Sequence, residues 1–596
     1  MKRNSMHRSY FGLLLCSAGA CGPPAASSLS SDSDGRAGAA SGGARAQTEG
    51  GGAALVPGGS APTVGGAASS PELERELADP TLNRRLVAGP FALVGNLRDS
   101  CTNAEAETGD RWCAISRTLT STSSELWVVN FTRAIAADAP IACDGSSPDC
   151  LRLSSDLWVD YQFWGDSQPV VQRFEGDTLI FHSGPATKRD PYDGGIWAWR
   201  PGWQKAAKLT EHGVFCFANP RSSSVACISN ALIEKDFNDL LAPPYYREFD
   251  LLVGVLTDAD QAQLPLAAHV MHAPDDQSFR LRFSPNGQYL AYSSVAALGE
   301  PETVRIIHVP EAGVAAASTI LSSASEWEIA HDGQSIYYLS DYQRSSGIVG
   351  TGTLRMADFP SGQGSVELTP LVRSFELIGT FDLSFRAEDR GLVAVAGVPD
   401  VSLAPLVMLE PRVPERAFQL QRGATSVNVS PDLRHTLYFT PIKDNPVVVI
   451  AHNDGAATCQ LTADSKAESY YAEFTDSAAW VAWIERKRTG TRSEQGFLAR
   501  PGDCGSRFQF GDHVLDYWLA GDDFVLFKGS DASSSTFWLE YTKLAGASGK
   551  PQILREQPDI NTQIIQTAEG TWFVYSASSQ PERPDQGLFA YGPLTP

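Results

Sequence analysis

Basic charge is scarce in this sequence. Lys and Arg number 47 against 69 Asp and Glu, leaving a net charge of −22. A phosphate backbone needs Lys and Arg to neutralise it, so nucleic acid is excluded as a partner. Long apolar runs are missing as well. The clearest one, "YFGLLLCSAGA" at residues 10–20, is too short to span a bilayer. Catalytic and metal signatures are missing in turn: no Gly-x-Ser-x-Gly elbow, no Walker loop, no EF-hand loop, no Gly-x-Gly-x-x-Gly and no Cys-x-x-Cys. Helical periodicity is confined to two places. Ser70-Pro71-Glu72 has the order of an N-cap, a first-turn Pro and an acid, and predicts a short helix to about Ala78. "NALIEKDFNDLL", residues 230–241, predicts a second helix inserted between strands. What the chain does have is core material: 42% hydrophobic residues and 13 Trp over 596 residues, enough for several domains or one large repeat domain.

The N-terminus carries an export pattern. Lys2, Arg3 and Arg8 precede the apolar run, which ends at Ala18-Gly19-Ala20-Cys21. Small residues before a Cys resemble a bacterial lipobox, with Cys21 as the lipidated mature N-terminus. Ala18 stands where that family prefers Leu, and Ala18-x-Ala20 equally suits an ordinary signal peptidase. The expected division is a signal peptide over 1–20, a tether over 21–69 and one folded domain over 70–596. About three-quarters of residues 22–69 are Gly, Ala, Ser or Pro, the composition of a flexible linker. Eight further Cys follow: Cys101, Cys113, Cys143, Cys150, Cys216, Cys227, Cys459 and Cys504. An even number in an exported chain points to disulfides. Their close spacings favour Cys101–Cys113, Cys143–Cys150 and Cys216–Cys227, leaving Cys459–Cys504.

From residue 110 onward the pattern is short alternating apolar runs bounded by turn residues. One stretch recurs. "FSPNGQYLAYSS" (283–294) is followed by "IAHDGQSIYYLS" (329–340), with Gly287 and Gly333 46 residues apart. "VSPDLRHTLYFT" (429–440), "FTDSAAWVAWIE" (474–485), "LAGDDFVLFK" (519–528) and "QTAEGTWFVYSA" (566–577) continue the series. Asp432, Asp476, Asp522 and Glu569 follow at intervals of 44, 46 and 47. Each copy offers an apolar strand end, a polar turn and a strong β run. "AKLT" (207–210), "VELT" (366–369) and "CQLT" (459–462) close several units as outer strands. Four strands in 40–50 residues, repeated, predict a β-propeller. The physical reason is edge management: one small sheet buries too little alone, and stacked neighbours cover both of its faces.

The hairpin with its closing "LT" strand resembles the WD-like repeats of TolB and of prolyl-oligopeptidase-type propellers. The resemblance implies an all-β fold with one large propeller of four-stranded antiparallel blades, about eight of them within a range of seven to ten. Two smaller rings are the alternative. Ten candidate stretches can be drawn between residues 110 and 596. The last has three strands only, so "LVAGPFALVG" (86–95) is expected to supply its outer strand and seal the ring. No hydrolase elbow follows the repeats, so the resemblance extends to the propeller and not to the peptidase.

Candidate chemistry is thin. "HVMHAPDD" (269–276) is the one close His pair with acids beside it, and it reads as a turn between blades more readily than as a metal site. "WGDSQP" (164–169) and "DLRH" (432–435) spell out an esterase-like pair by letter, and both fall in turns. The Trp residues of "IWAWRPGW" and "WVAWIE" suit inter-blade core better than a sugar platform. No catalytic, cofactor or metal residue is therefore assigned and no cofactor is expected. The expected function is non-catalytic: an exported, lipid-anchored binding or scaffold protein of a bacterial envelope. A protein or polymer partner would meet its loops and central channel. Membrane contact would be through the anchor alone. Gly22 after Cys21 favours an outer-membrane or surface location over an inner-membrane one; periplasmic or secreted forms are the alternatives. A propeller enzyme of lactonase, lyase or hydrolase type, with its site in the channel, is the second reading.

Overall fold

The computed structural model describes most of residues 76–595, interrupted between strands, with the longest breaks at 184–194, 235–244 and 378–391. Its pairing falls into eight sheets, nearly all antiparallel. Six of them hold one four-stranded unit each, the nine-stranded sheet holds two, and the seven-stranded sheet holds two that share the strand Val366–Leu377, giving ten units in chain order. They span 92–160, 171–210, 213–271, 281–322, 327–372, 372–419, 425–460, 467–512, 514–556 and 558–594, here called units 1 to 10. Within each unit successive strands are hairpin neighbours. Fourth strands such as Leu266–Met271 and Ser318–Ser322 are the most exposed, which sets them at the rim and the first strands toward the axis.

The all-β propeller expected from the repeats is thus the fold found. Each of the ten candidate stretches forms a unit, more than the expected eight or so and at the upper end of the range of seven to ten. Units 1 to 3 carry the weakest repeat signature, and two of them have covalent help instead. Cys216–Cys227 joins directly opposed residues of neighbouring strands, and Cys101–Cys113 joins an isolated bridge residue to the strand Trp112–Thr120.

Nine apolar clusters lie between consecutive units. Trp112, Leu126 and Val128 of unit 1 pack on Phe174, Leu179 and Trp199 of unit 2. Leu437, Val448 and Ile450 of unit 7 meet Phe474, Val481 and Trp483 of unit 8. The same holds for units 2/3, 3/4, 4/5, 5/6, 8/9 and 9/10. The ninth cluster joins the two ends: Ile115, Trp127 and Val129 of unit 1 lie against Ile565, Trp572 and Val574 of unit 10. The junction of units 6 and 7 falls on side chains outside the described ones. Trp199 and Trp483 are among the largest fully buried side chains and lie in inter-unit core, as expected; Trp327 and Trp572 fill the same role.

The seam is closed by a strand from the other end of the chain. Asn83–Ala88 pairs antiparallel with Gly587–Leu594 and becomes the fourth strand of unit 10. The expected sealing segment, 86–95, overlaps it but starts too late. Beyond Phe91 it becomes the two-residue first strand of unit 1, Ala92–Leu93. Gly89, at φ +110°, makes the crossing between the two.

Both helix expectations need correction. Glu76 and Leu77 form a strand parallel to Gln552 and Ile553, a fifth strand on unit 9; residues 70–75 lie outside the description. The helical turn comes later, at Pro80–Leu82, with Asp79 as its cap. Residues 230–234 end the strand Ser224–Glu234, pairing with 245–248, and the rest of that stretch is outside the description. At Glu76–Leu77 the edge of unit 9 captured the segment, and at 230–234 the hairpin with the following strand was extended, because strand pairing outweighs a weak local preference.

Candidate functional site

The recurrent turn is the feature the ring repeats most faithfully. In unit 4 the Ser284 N–H donates to the Tyr289 carbonyl at 2.8 Å, and the Gly287 N–H donates to the Ser284 carbonyl at 2.8 Å. Ser284 Oγ accepts the Tyr289 N–H at 2.9 Å and donates to Asn286 Oδ1 at 2.7 Å. Unit 7 repeats this with Ser430, whose Oγ accepts from the His435 N–H and donates to Asp432. Unit 8 repeats it with Thr475, which accepts from the Trp480 N–H at 3.1 Å. A hydroxyl at the first turn position therefore replaces a missing backbone partner. Gly287 (φ +70°) and Gly333 (φ +67°) supply the left-handed residue; Ala478 (φ +63°) does so in unit 8.

These turns touch one another around the ring. Asn219 of unit 3 donates to the Ser284 carbonyl at 3.0 Å, and Ser224 Oγ donates to the Gly287 carbonyl at 3.1 Å. The Ser477 N–H of unit 8 donates to Asp522 of unit 9 at 3.3 Å. The turns bearing Asn286, Asp332, Asp432, Asp522 and Glu569 occupy equivalent places in their units, and those of units 4 and 5 and of units 8, 9 and 10 lie close to one another. The sequence "FANPRSSSV" of unit 3 belongs to this belt, since the Asn219 N–H donates to the Ser224 carbonyl with the same five-residue spacing. Its lack of Gly hid it from the repeat pattern.

Two kinds of charged network lie between strands. Near the axis, Arg280 reaches Glu328 at 3.2 Å and Glu326 at 3.9 Å, while Arg282 reaches Glu328 at 3.6 Å. Glu328 is only 3% exposed. Two cations and two anions at this burial balance one another and join units 4 and 5. The second kind pairs Trp with Glu two residues away on one strand face. Trp127 Nε1 donates to Glu125 at 3.1 Å, and Trp483 Nε1 donates to Glu485 at 2.8 Å. Arg117 and Arg152 serve Glu125, and Arg507 serves Glu485 at 2.9 Å. Burial pushes the Glu125 carboxyl up, but the Trp127 and Arg117 hydrogen bonds and the Arg117 charge hold it below its ordinary value. Glu-x-Trp and Trp-x-Glu on strands were legible as same-face pairs, yet nothing in the sequence located their Arg partners.

The residues singled out by sequence do not converge. His269 Nδ1 meets Asp250 at 2.5 Å on the outer strands of unit 3, and Asn230 donates to the other Asp250 oxygen at 2.7 Å. His269 is largely exposed, and its neighbours His272, Asp275 and Asp276 lie outside the described residues. Among the described residues no three His, Cys, Asp or Glu side chains group as metal ligands do. Asp432 is an exposed turn residue, whereas His435 is buried with its ring 4.4 Å from that of His452. Residues 164–167 and Cys21 are outside the description. The disulfides Cys101–Cys113, Cys143–Cys150 and Cys216–Cys227 are all present. Cys459 is also disulfide-bonded; the side chain of Cys504 is not among those described. Such bonds suit an oxidising, extracytoplasmic setting.

No protein-family model and no curated protein matches the chain. Among solved structures, a dipeptidyl peptidase 4 of Porphyromonas gingivalis is similar at 9% identity and TM-score 0.40, over 67% of this chain and 63% of the peptidase. This chain therefore spans less than two thirds of that enzyme. A eukaryotic initiation factor is similar at 10% identity and TM-score 0.42, over 77% and 98% of the two chains. A TolB-like protein of Agrobacterium tumefaciens is similar at 11% identity and TM-score 0.24, over 55% and 92%. The fold itself rests on this chain's own strand pairing.

Proposed function

We propose that this protein is an exported, lipid-anchored propeller of a bacterial envelope that binds a protein or polymer partner without catalysis. The observation that carries the reading is the belt of adjoining turns on one face of the ring. The turns are fixed by backbone hydrogen bonds, reinforced by a hydroxyl in units 4, 7 and 8, and those of units 3/4 and 8/9 brace one another. Such a surface is preorganised, so little conformational entropy is lost on binding. Its carboxylates favour a partner with basic or hydrogen-bond-donating groups. The disulfides support the exported setting, and the lipobox-like Ala18-Gly19-Ala20-Cys21 supports the anchor.

Photo-crosslinking in the bacterial envelope tests the binding face. A photoreactive residue at Asn286 or Asp332 should give discrete adducts, and one at the rim residue Ser322 should not. Adducts from Ser322 alone would move the site off the turn belt. Cys21→Ser tests the anchor separately: the variant should leave the membrane fraction, and a variant that stays there removes the lipid anchor from the reading.

A further inference from the structure

The strand that seals the ring is held on both edges. Asn83–Ala88 takes Gly587–Leu594 on one side. On the other, Val87 forms a parallel bridge with Ile141, and the Ile141 N–H donates to the Leu86 carbonyl at 2.9 Å. Ile141 belongs to the connection between the helix Phe131–Ala136 and the strand Cys150–Asp160. The second half of that connection is closed by Cys143–Cys150, seven residues apart, and Ile141 stands two residues before the closed loop. The preceding helix makes a further contact: Arg84 Nη1 donates to the Ile135 carbonyl at 2.7 Å, with its guanidinium 6.0 Å from the Trp572 ring. Cys143 and Cys150 are buried in the cluster that holds Leu86, Val87, Leu588 and Ala590. Cys216–Cys227 lies elsewhere, between units 2 and 3.

We propose that Cys143–Cys150 is a redox latch on the seam of the ring. When oxidised, it keeps the connection folded so that Ile141 pairs with the sealing strand. When reduced, the connection loosens, the strand loses that edge partner, and the seam opens locally while the other units stay closed. Latching is thiol–disulfide exchange with a disulfide-bearing oxidant. One thiolate attacks the oxidant and expels one of its sulfurs as a thiol. The second then attacks the mixed disulfide and expels the other, so two electrons and two protons leave with the oxidant's thiols. The latch rests on the reading of an exported protein, since it closes only in an oxidising compartment. Its test does not involve the signal or the anchor.

Hydrogen exchange on the full chain decides it. In Cys143→Ser/Cys150→Ser, peptides covering 83–88 and 587–594 should exchange about ten- to a hundredfold faster than in the wild type, from the loop entropy a short disulfide removes. Peptides of units 3 to 8 should be unchanged, and Cys216→Ser/Cys227→Ser should leave the seam at the wild-type rate. An unaltered seam in the first variant, or equal acceleration there in both, overturns the latch. Ile141→Pro keeps the disulfide but removes the N–H given to Leu86, and should reproduce the seam-specific acceleration. If the Ser variant fails to fold, the Pro variant carries the decision, with Cys101→Ser/Cys113→Ser as the control for the other disulfide of the same cluster. No seam-specific change in the Pro variant, or the same change in the Cys101/Cys113 control, would refute the proposal. A failed export reading would show instead as an uncleaved signal in protein whose seam still responds to reduction.

Discussion

Acid should loosen unit 2 before the rest of the ring, through His182. This residue lies on the strand Thr178–Ser183 opposite Ile196, beside the apolar core between units 2 and 3. It is 4% exposed, and burial lowers its pKa from 6.5 to about 4. Between those two values the opened strand binds a proton that the folded one refuses. Stability of the strand therefore falls as pH drops from about 6.5 to 4 and levels off below. At 1.36 kcal/mol per pKa unit the loss reaches about 3 kcal/mol, or about a hundredfold in the opening equilibrium. The assay is hydrogen exchange of peptides spanning 178–183 from pH 7.5 to 4.5, corrected for the intrinsic pH dependence. In the wild type the protection factor should fall by about that much. In His182→Gln, which stays neutral throughout, it should be flat apart from titrations common to both proteins. The same fall in both proteins would show that His182 is not the group responsible.

The remaining predictions concern the turn belt and the inter-unit networks. Gly287→Ala should destabilise unit 4, because an added Cβ would meet Ser222 Oγ at 2.2 Å at a φ of +70°, whereas Gly502→Ala, with nothing within 4 Å, should be neutral in a thermal melt. Glu485→Gln should cost about 1–2 kcal/mol by removing the buried carboxylate that the half-buried Arg507 faces, and Glu485→Gln/Arg507→Met should recover part of it in the same denaturation series. Tyr517→Phe should cost about 1 kcal/mol by removing the hydroxyl that donates to the Ala482 carbonyl at 2.9 Å, read from the shift in urea midpoint.

Local features were legible in the chain because their contacts are local. "FSPNGQYLAYSS" spelled its hairpin since Ser284 and Tyr289 bond across five residues. Cys216 and Cys227 were pairable by spacing since one hairpin sets them face to face. Where helical spacing competed with strand pairing, to a distant edge at Glu76–Leu77 and within a hairpin at 230–234, the pairing won and the helical expectation failed. The candidate site was legible in its parts and not in its assembly. The turns could be found one at a time, but nothing in the spelling said that Asn219 and Ser284, 65 residues apart, would share a hydrogen bond.

The sequence alone determined the strands, the repeat, the turn chemistry and three disulfides, all of them decided within a few dozen residues. Only the tertiary structure decided that ten units share one ring, that Arg280 and Arg282 face Glu326 and Glu328, and that Asn83–Ala88 is the strand that seals it. Tyr575 and Asn83 hydrogen-bond across 492 residues. A contact of that span follows from the angle each blade adds to the next, accumulated around the whole circle, and no local pattern encodes that sum.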